Sequence, residues 1–206
     1  MARSKSSKRW LREHFDDPWV KRAQQEGRRS RAVFKLEEID RRDKLLRPGQ
    51  FVVDLGAAPG GWTEYAARRV GSEGKVVALD LLPMEAVRGV DIIQGDFRDP
   101  AVLEILEAAL GANPLDLVMS DLAPNMSGVV VADQARASYL GELAVDFAAT
   151  HLKPGGDLVV KLFQGAGFEE ILRDLRQRFG RVNMRKPEAS RARSAEVYAV
   201  ARGFRV

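Results

Sequence analysis

The sequence predicts an α/β protein with a seven-stranded, mostly parallel sheet, helices on both of its faces, and a last strand that is antiparallel. Short apolar runs alternate with helix-length amphipathic segments along the chain, which is the pattern of βα units. Several of these runs end in or just before an acid, at Asp54, Asp80, Asp96 and Asp121. The first run is followed directly by a glycine turn and a helix, a layout that lets a nucleotide-like ligand approach the backbone closely.

The composition limits the kinds of protein that this chain can be. Its 206 residues predict one domain over 17–206, preceded by a basic, flexible arm over 1–16. The chain has no cysteine and only two histidines, so disulfides and thiolate chemistry are excluded and no metal site is expected. We expect a cytoplasmic monomer, because no apolar run could cross a membrane, no secretory signal is evident, and nothing suggests an apolar dimer face.

Charge is distributed unevenly along the chain. Residues 1–50 carry a net charge of +7, residues 51–172 a net charge of −10, and residues 173–206 a net charge of +7. If the two basic ends converge in space, they form a positive face that suits a polyanion such as RNA. Trp10 and Phe15 in the arm could stack on bases, although a solvated tail is an equally good interpretation.

The elements follow in order from Asp17. Asp17-Pro18 predicts the start of a helix that ends near Gly27, and Ser30 is expected to cap a second helix over 31–43 that contains Lys35. Further helices are predicted over 63–70, 100–110, 133–151 (with Asp133 as the N-cap) and 168–179. Strands are predicted over 51–54, 75–80, 90–94, 115–121, 157–163, 181–185 and 195–201.

The glycine turn after the first strand indicates the kind of ligand. Its spacing is not G-x-G-x-x-G, and Pro59 has no N–H to donate to a phosphate, so a pyrophosphate cradle is disfavoured. A nucleoside whose amino-acid portion lies against the turn from Gly56 to Gly60 fits better. A tight connection with glycines that serve packing alone is the open alternative.

The acids at the strand ends predict contacts to one shared ligand. Asp80 ends the second strand, where a carboxylate can accept hydrogen bonds from two ribose hydroxyls. Asp96 follows the third strand and can accept from the exocyclic amine of a purine, with Phe97 packing nearby. Each acid alone could equally be a loop cap, but their common position at carboxyl ends favours a ligand.

Lys161 is the most unusual residue, because it interrupts an apolar run that is typical of a buried parallel strand. A catalytic or ligand-binding role is favoured at this end of the sheet, and the alternative is an ammonium that reaches water beyond the strand. Residues 186–194 form a basic loop suited to phosphate contacts. Glu196 opens the last strand and can face whatever the loop binds.

Five segments of the chain together resemble the FtsJ-type ribosomal RNA 2′-O-methyltransferase family. The resemblance covers the chain from about residue 10 to its end. The segments are Asp54-Leu-Gly-Ala-Ala-Pro-Gly-Gly-Trp62, Gly95-Asp-Phe-Arg-Asp99, Ser120-Asp-Leu-Ala-Pro-Asn-Met-Ser-Gly128, Val160-Lys-Leu-Phe-Gln-Gly165 and the loop over 186–194. The resemblance implies a Rossmann-like methyltransferase that transfers a methyl group from S-adenosyl-L-methionine to a uridine 2′-hydroxyl of 23S rRNA in the assembled 50S subunit.

The resemblance also implies roles for particular residues. The family's catalytic tetrad corresponds to Lys35, Asp121, Lys161 and Glu196. The implied cofactor-binding residues are Asp54, Gly56, Gly60, Trp62, Asp80, Asp96, Phe97 and Asp121, with Gly60 and Trp62 at the methionine end.

The chemistry of methyl transfer to a ribose hydroxyl requires alignment and a base. We predict Lys161 as the base, because burial and the like charge of Lys35 favour the neutral amine that can accept a proton. Asp121 is expected to orient this amine, and Glu196 to hold Lys35 or the substrate ribose. The loop after Asp121 reads Leu-Ala-Pro, not the Pro-Pro-aromatic of amine methyltransferases, which favours an oxygen acceptor.

Two rival functions stay open at this point. A nucleotide-dependent oxidoreductase would need the pyrophosphate-binding amides that Pro59 removes. A non-catalytic RNA-binding or ribosome-assembly protein on the same fold is expected to have lost Lys161 or Asp121, and both residues are present.

Overall fold

The computed structural model describes residues 17–125, 127–191 and 193–205, so the predicted basic arm lies outside the described residues. The helices are α1 (Pro18–Gln25), α2 (Ala32–Asp43), α3 (Gly61–Val70), α4 (Pro100–Leu110), α5 (Val130–His151) and α6 (Phe168–Arg178). The strands are β1 (Phe51–Leu55), β2 (Lys75–Asp80), β3 (Val90–Gln94), β4 (Leu115–Ser120), β5 (Leu152–Phe163), β6 (Phe179–Arg185) and β7 (Glu196–Phe204).

The seven strands form one sheet in the order β3-β2-β1-β4-β5-β7-β6. Strands β1 to β5 pair in parallel, and β7 is antiparallel to both β5 and β6. The predicted fold is therefore confirmed, including the antiparallel last strand. Because the parallel strands all run the same way, the carboxyl ends of β1, β2, β3 and β4 meet along one edge of the sheet.

Helices cover both faces of the sheet, as predicted. Leu36 of α2 and Trp62 of α3 pack on one face against Met119, Val159 and other apolar strand residues. On the other face, α4, α5 and α6 form a second core, to which they contribute, among others, Leu106, Ala144, Val145, Ile171 and Leu172. Each face buries a continuous apolar layer, which holds the strand ends in fixed positions.

Two predicted helix caps are wrong, whereas the cap at Asp17 is confirmed by its bond to the Trp19 N–H. Ser30 makes no capping bond, since α2 begins two residues later and the buried Ser30 Oγ has no partner among the described residues. Asp133 lies inside the first turn of α5, where its carboxylate accepts bonds from Ser127 and from the Gly128 N–H. Aspartate competes for nearby backbone donors in this way, so here it fixes the preceding loop.

Strand β5 is longer than predicted. It begins at Leu152, whereas the sequence predicts a strand over 157–163. Leu115 pairs with Leu152, but Leu117 pairs with Asp157, so the additional residues are accommodated by a shift of register. The Pro-Gly-Gly segment is thus an irregularity within the strand.

Candidate active site

A cavity of about 600 Å³ lies at the carboxyl ends of the parallel strands. Five of the eight predicted ligand-binding residues line it: Gly56, Asp80, Asp96, Phe97 and Asp121. They come from four different strand ends, and the strand order of the sheet is what brings them together.

The floor of the cavity depends on Gly56. This residue has φ +80°, and a Cβ added to it would lie 2.8 Å from the backbone nitrogen of Leu122. The Gly56 N–H also donates to the carbonyl of Leu79 at 2.9 Å. Only glycine therefore lets the loops after β1 and β4 approach each other this closely.

Asp80 is fixed by the backbone and keeps capacity to accept further bonds. Its Oδ2 accepts from the Ala58 N–H at 2.9 Å, and its Oδ1 accepts from the Leu82 N–H at 2.8 Å. Each carboxylate oxygen has a second lone pair, so both can still accept from a ligand hydroxyl. The geometry suits the predicted ribose contact, which stays a prediction.

Asp96 is joined to Arg98, which also lines the cavity. The guanidinium contacts both carboxylate oxygens at 2.6–3.2 Å, and these bonds lower the pKa of Asp96 to about 2. Phe97 packs edge-on against Phe147, with 5.6 Å between ring centroids. Asp96 is thus a permanent anion at this wall, and its contact with a purine amine stays a prediction.

The side chains of Asp54 and Trp62 lie beneath the turn and do not line the cavity. Trp62 donates its indole N–H to the carbonyl of Ala32 at 2.7 Å. Asp54 is fully buried, and its Oδ2 accepts from the Thr63 hydroxyl at 2.6 Å, while its Oδ1 has no partner among the described residues. Burial raises the pKa of Asp54 to about 7, helped by the nearby carboxylates and opposed by Thr63.

Gly60 lies in the turn but outside the cavity lining. It has φ +103°, and an added Cβ would lie 2.9 Å from the Met84 sulfur and 3.1 Å from Cδ of Arg29. Any larger residue would therefore disturb the contact of Arg29 with the turn. Direct contact of Gly60 or Trp62 with a ligand stays a prediction.

The four residues of the predicted tetrad meet beside the cavity. Lys161 contacts the Asp121 carbonyl oxygen at 2.5 Å and Asp121 Oδ1 at 3.0 Å. Lys35 contacts Glu196 Oε1 at 2.6 Å. The two lysines come from α2 and β5, and both are buried, with 5% and 7% of their surface exposed.

Tyr198, which the sequence does not single out, links the two ion pairs. Its hydroxyl accepts from Lys35 Nζ at 3.1 Å and donates to Asp121 Oδ1 at 2.7 Å. Tyr198 is directly opposite Lys161 in the pairing of β5 with β7. Tyr198 lies two residues after Glu196, and side chains alternate along a strand, so the sequence pattern places both on the same face.

The protonation states in this cluster follow from its two cations and two carboxylates. Burial alone would raise the pKa of Asp121, but the charges of Lys161 and Lys35 outweigh it and lower that pKa. The pKa of Glu196 is lowered in the same way, chiefly by Lys35. Burial, with Asp121 and Glu196, raises the pKa of Tyr198 well above its usual value, so the phenol keeps its proton.

The basic loop over 186–194 is anchored to this cluster. Ser190 is buried, and its hydroxyl donates to Glu196 Oε1 at 2.8 Å. Lys186 donates to the carbonyls of Ser194 and Glu196 at 2.6 and 2.5 Å, so its ammonium helps to close the loop. The loop therefore stands next to the tetrad, as the sequence predicts.

Two features are absent from the residues that the structure describes. In residues 17–125, 127–191 and 193–205, no group of three or more histidines or carboxylates stands close enough to hold a metal ion. Over the same residues, no helix has the length and apolar character needed to cross a bilayer.

The fold and the site define a class of protein. The structure resembles a crystal structure from Plasmodium falciparum of a protein assigned as a ribosomal RNA methyltransferase, with a TM-score of 0.75 and 26% identity over 85% of this chain and 98% of that one. With this sheet order and this neighbour, the protein is a Rossmann-like methyltransferase.

The comparison of sequences identifies the family. The sequence model of the FtsJ-like methyltransferase family matches residues 28–204. The chain is 58% identical over 205 residues to ribosomal RNA large subunit methyltransferase E of Xanthomonas euvesicatoria, covering 100% of this chain and 98% of that protein. It is 59% identical over 204 residues to the protein of the same name from Stenotrophomonas maltophilia, covering 99% and 97%. The chain belongs to the FtsJ-like methyltransferase family.

Proposed function

We propose that the protein transfers a methyl group from S-adenosyl-L-methionine to the ribose 2′-hydroxyl of a uridine in 23S rRNA, within the assembled 50S subunit. The observation that carries the proposal is the contact of the Lys161 amine with Asp121, because Asp121 also lines the cavity. The relatives named as large-subunit rRNA methyltransferases support an rRNA substrate. We infer that the protein acts as a cytoplasmic monomer.

The cavity suits a cationic nucleoside. Asp80 and Asp121 line it, and Asp54 lies close enough for their charges to raise its pKa, so this wall is acidic. Such a wall attracts the positively charged S-adenosylmethionine and repels the diphosphate of a nicotinamide cofactor. When bound, S-adenosylmethionine supplies a methyl group that its sulfonium has already activated. Asp80 would hold the ribose, and Asp96 would accept from the adenine amine with Phe97 beside the ring.

Lys161 is the group that accepts the proton of the ribose hydroxyl, once its ammonium, which pairs with Asp121, has released a proton to solvent. The O–H bond breaks, the lysine amine gains the proton, and the oxygen becomes the nucleophile for the methyl group. The ammonium that results faces the carbonyl and carboxylate of Asp121, which stabilise its charge. Asp121 thus orients the amine before the transfer and stabilises its protonated form afterwards.

Lys35 and Glu196 hold the other side of the cluster. The hydrogen bonds found for the Glu196 carboxylate within the described residues all fall on Oε1, from Lys35 and Ser190. The second oxygen is available to accept from a hydroxyl of the substrate ribose. Glu196 would therefore position the sugar, while Lys35 and Tyr198 keep Glu196 and Asp121 in place.

The decisive experiment is a radiolabelled methyl-transfer assay on 50S subunits from a strain that lacks this protein, followed by mapping of ribose methylation. We expect one 2′-O-methyluridine in 23S rRNA that depends on S-adenosylmethionine. No incorporation, with the protein still bound to 50S subunits, would favour the non-catalytic assembly protein. Calorimetry that detects binding of NAD but not of S-adenosylmethionine would favour the oxidoreductase.

A further inference from the structure

A second depression, of about 410 Å³, lies at the end of the sheet away from Lys161. Its rim carries three arginines, Arg47, Arg181 and Arg202. They come from the loop before β1, the start of β6 and the end of β7. We call this depression the arginine hollow.

Glycines keep the arginine hollow open. Gly155, Gly180 and Gly203 line it beside the arginines. A Cβ added to Gly155 or Gly203 would meet no atom within 4 Å, so open space faces both. The hollow thus combines a bare backbone surface with guanidinium groups around it, an arrangement that a phosphate group can enter.

The arginine hollow has an excess of positive charge. Asp157 is the one carboxylate in its lining, and this side chain is only 4% exposed. Its oxygens accept from the Gly203 N–H at 3.0 Å and from Arg202 at 3.1 Å, and Arg47 stands 4.0 Å away. Asp157 therefore neutralises one arginine, and the lining keeps a net charge of +2.

Arg181 gives the most specific indication of a ligand. Its side chain is exposed and has no hydrogen bond or ion pair with any of the residues that the structure describes. In the antiparallel pairing of β6 with β7, it lies directly opposite Arg202. Like charges in this position destabilise a sheet, and Asp157 offsets only the charge of Arg202, so an anion beside Arg181 would relieve the repulsion that remains.

We propose that the arginine hollow binds the phosphodiester backbone of the rRNA substrate, at a distance from the reacting nucleotide. This inference rests on the proposed rRNA substrate. Strand β6 is the edge of the sheet and leads from Arg181 to the basic loop that begins at Lys186 beside the tetrad. At the usual rise of a strand, the five steps from Arg181 to Lys186 span about 17 Å. One RNA segment can follow this edge and contact both the loop and the hollow.

The test reverses two charges of the hollow in the full-length protein. R47E/R181E is compared with R173E/R176E, which changes the net charge equally at two exposed arginines of α6. We expect the first variant to raise KM for 50S subunits about tenfold over the control, with kcat and the Kd for S-adenosylmethionine unchanged. The slope of log binding constant against log salt should fall by about 1 to 2, since each lost phosphate contact removes roughly 0.7–0.9.

A second variant separates an RNA contact from a structural role. Arg181→Gln removes the like-charge pair, so its melting temperature should equal or exceed that of the wild type while its affinity for RNA falls. A lower melting temperature with unchanged RNA affinity would overturn the proposal, as would equal effects of the two double variants.

A third comparison identifies the partner of the hollow. If R47E/R181E binds protein-free 23S rRNA as well as the control does but binds 50S subunits less tightly, the hollow contacts an acidic ribosomal protein and the proposal is wrong. If the wild type neither binds nor methylates rRNA, the proposed function itself fails.

Discussion

The hydroxyl of Tyr198 donates a hydrogen bond to Asp121 across 2.7 Å, and this bond joins the two ion pairs of the site. Without it, Lys35 with Glu196 and Lys161 with Asp121 would be separate pairs on neighbouring elements. With it, the carboxylate that contacts Lys161 is held from both sides. The site therefore behaves as one network, in which a change at Lys35 can reach Lys161.

Tyr198→Phe tests this network. The variant keeps the ring that packs 5.7 Å from Trp62 and removes only the hydroxyl. Asp121 then loses one donor, and Lys35 one acceptor, so we expect kcat to fall about tenfold, corresponding to roughly 1.4 kcal/mol. The Kd for S-adenosylmethionine should stay within about twofold, because Tyr198 does not line the cavity. Single-turnover methylation would measure the loss, and an unchanged kcat would show that the bond is dispensable.

Lys161→Ala tests the base. Its loss should reduce kcat by ~10² to 10⁴, the usual contribution of a general base, while calorimetry shows the cofactor affinity retained. Lys153→Ala is the matched control, because Lys153 lies on the same strand but is exposed and paired with Asp116. If Lys161→Ala keeps a kcat near that of the wild type, Lys161 is not the base, whatever the kcat of the Lys153 variant.

The sequence indicates some of these residues more clearly than others. Asp80 and Asp121 could be predicted because a polar residue at the end of an apolar run marks the carboxyl edge of a sheet. Lys161 could be predicted because an ammonium within such a run is costly. Tyr198 could not, since a tyrosine in a strand usually serves the core, and its two polar partners come from elements more than 70 positions away.

The misplaced caps have a different physical origin. Ser30 and Asp133 are both residues that favour the N-cap of a helix, but other contacts decide where their side chains lie. Asp133 finds donors in the loop before α5, and Ser30 is packed near Gly61, whose added Cβ would lie 2.8 Å from its hydroxyl. Local propensity cannot reveal such tertiary contacts.

Asp54→Asn tests the buried carboxyl beneath the turn. Its pKa of about 7 in the folded protein exceeds its ordinary value near 4, so between these two pH values the folded state holds a proton that the unfolded chain has released. The free energy of unfolding should therefore fall as pH rises from about 4 to about 7, by up to about 4 kcal/mol. Asparagine carries no charge, so the free energy of unfolding of the variant should not show this fall between pH 4 and pH 7.

The measurement for Asp54 is the difference in unfolding free energy between variant and wild type, from urea titrations at pH 4 and pH 8. Relative to the wild type, the variant should gain stability between these pH values. Asp91→Asn, at a carboxylate that is 60% exposed on β3, supplies the baseline for a surface group. A difference that is constant with pH, or that matches the Asp91 variant, would show that Asp54 is ionised throughout.

Arg29→Ala tests how the wall of the cavity is held in place. The Arg29 guanidinium donates to the carbonyls of Glu85 and Ala86 at 2.9 and 2.8 Å, and lies 3.5 Å from that of Pro59. One side chain thus joins the glycine turn to the segment after Asp80, which forms a wall of the cavity. Without it we expect this wall to become mobile, and the Kd for S-adenosylmethionine to rise about tenfold, equivalent to roughly 1.4 kcal/mol.

The turnover of the Arg29 variant at saturating cofactor should stay within about threefold of the wild type, because Arg29 contacts none of the tetrad residues. Arg28→Ala is the matched control, since its guanidinium pairs with Glu26 and Glu37 and not with the cavity wall. Equal weakening of cofactor binding by both variants would show that the bonds of Arg29 to the cavity wall are not its cause. A change in kcat without a change in Kd would mean that Arg29 acts on the tetrad, by a route that its contacts do not explain.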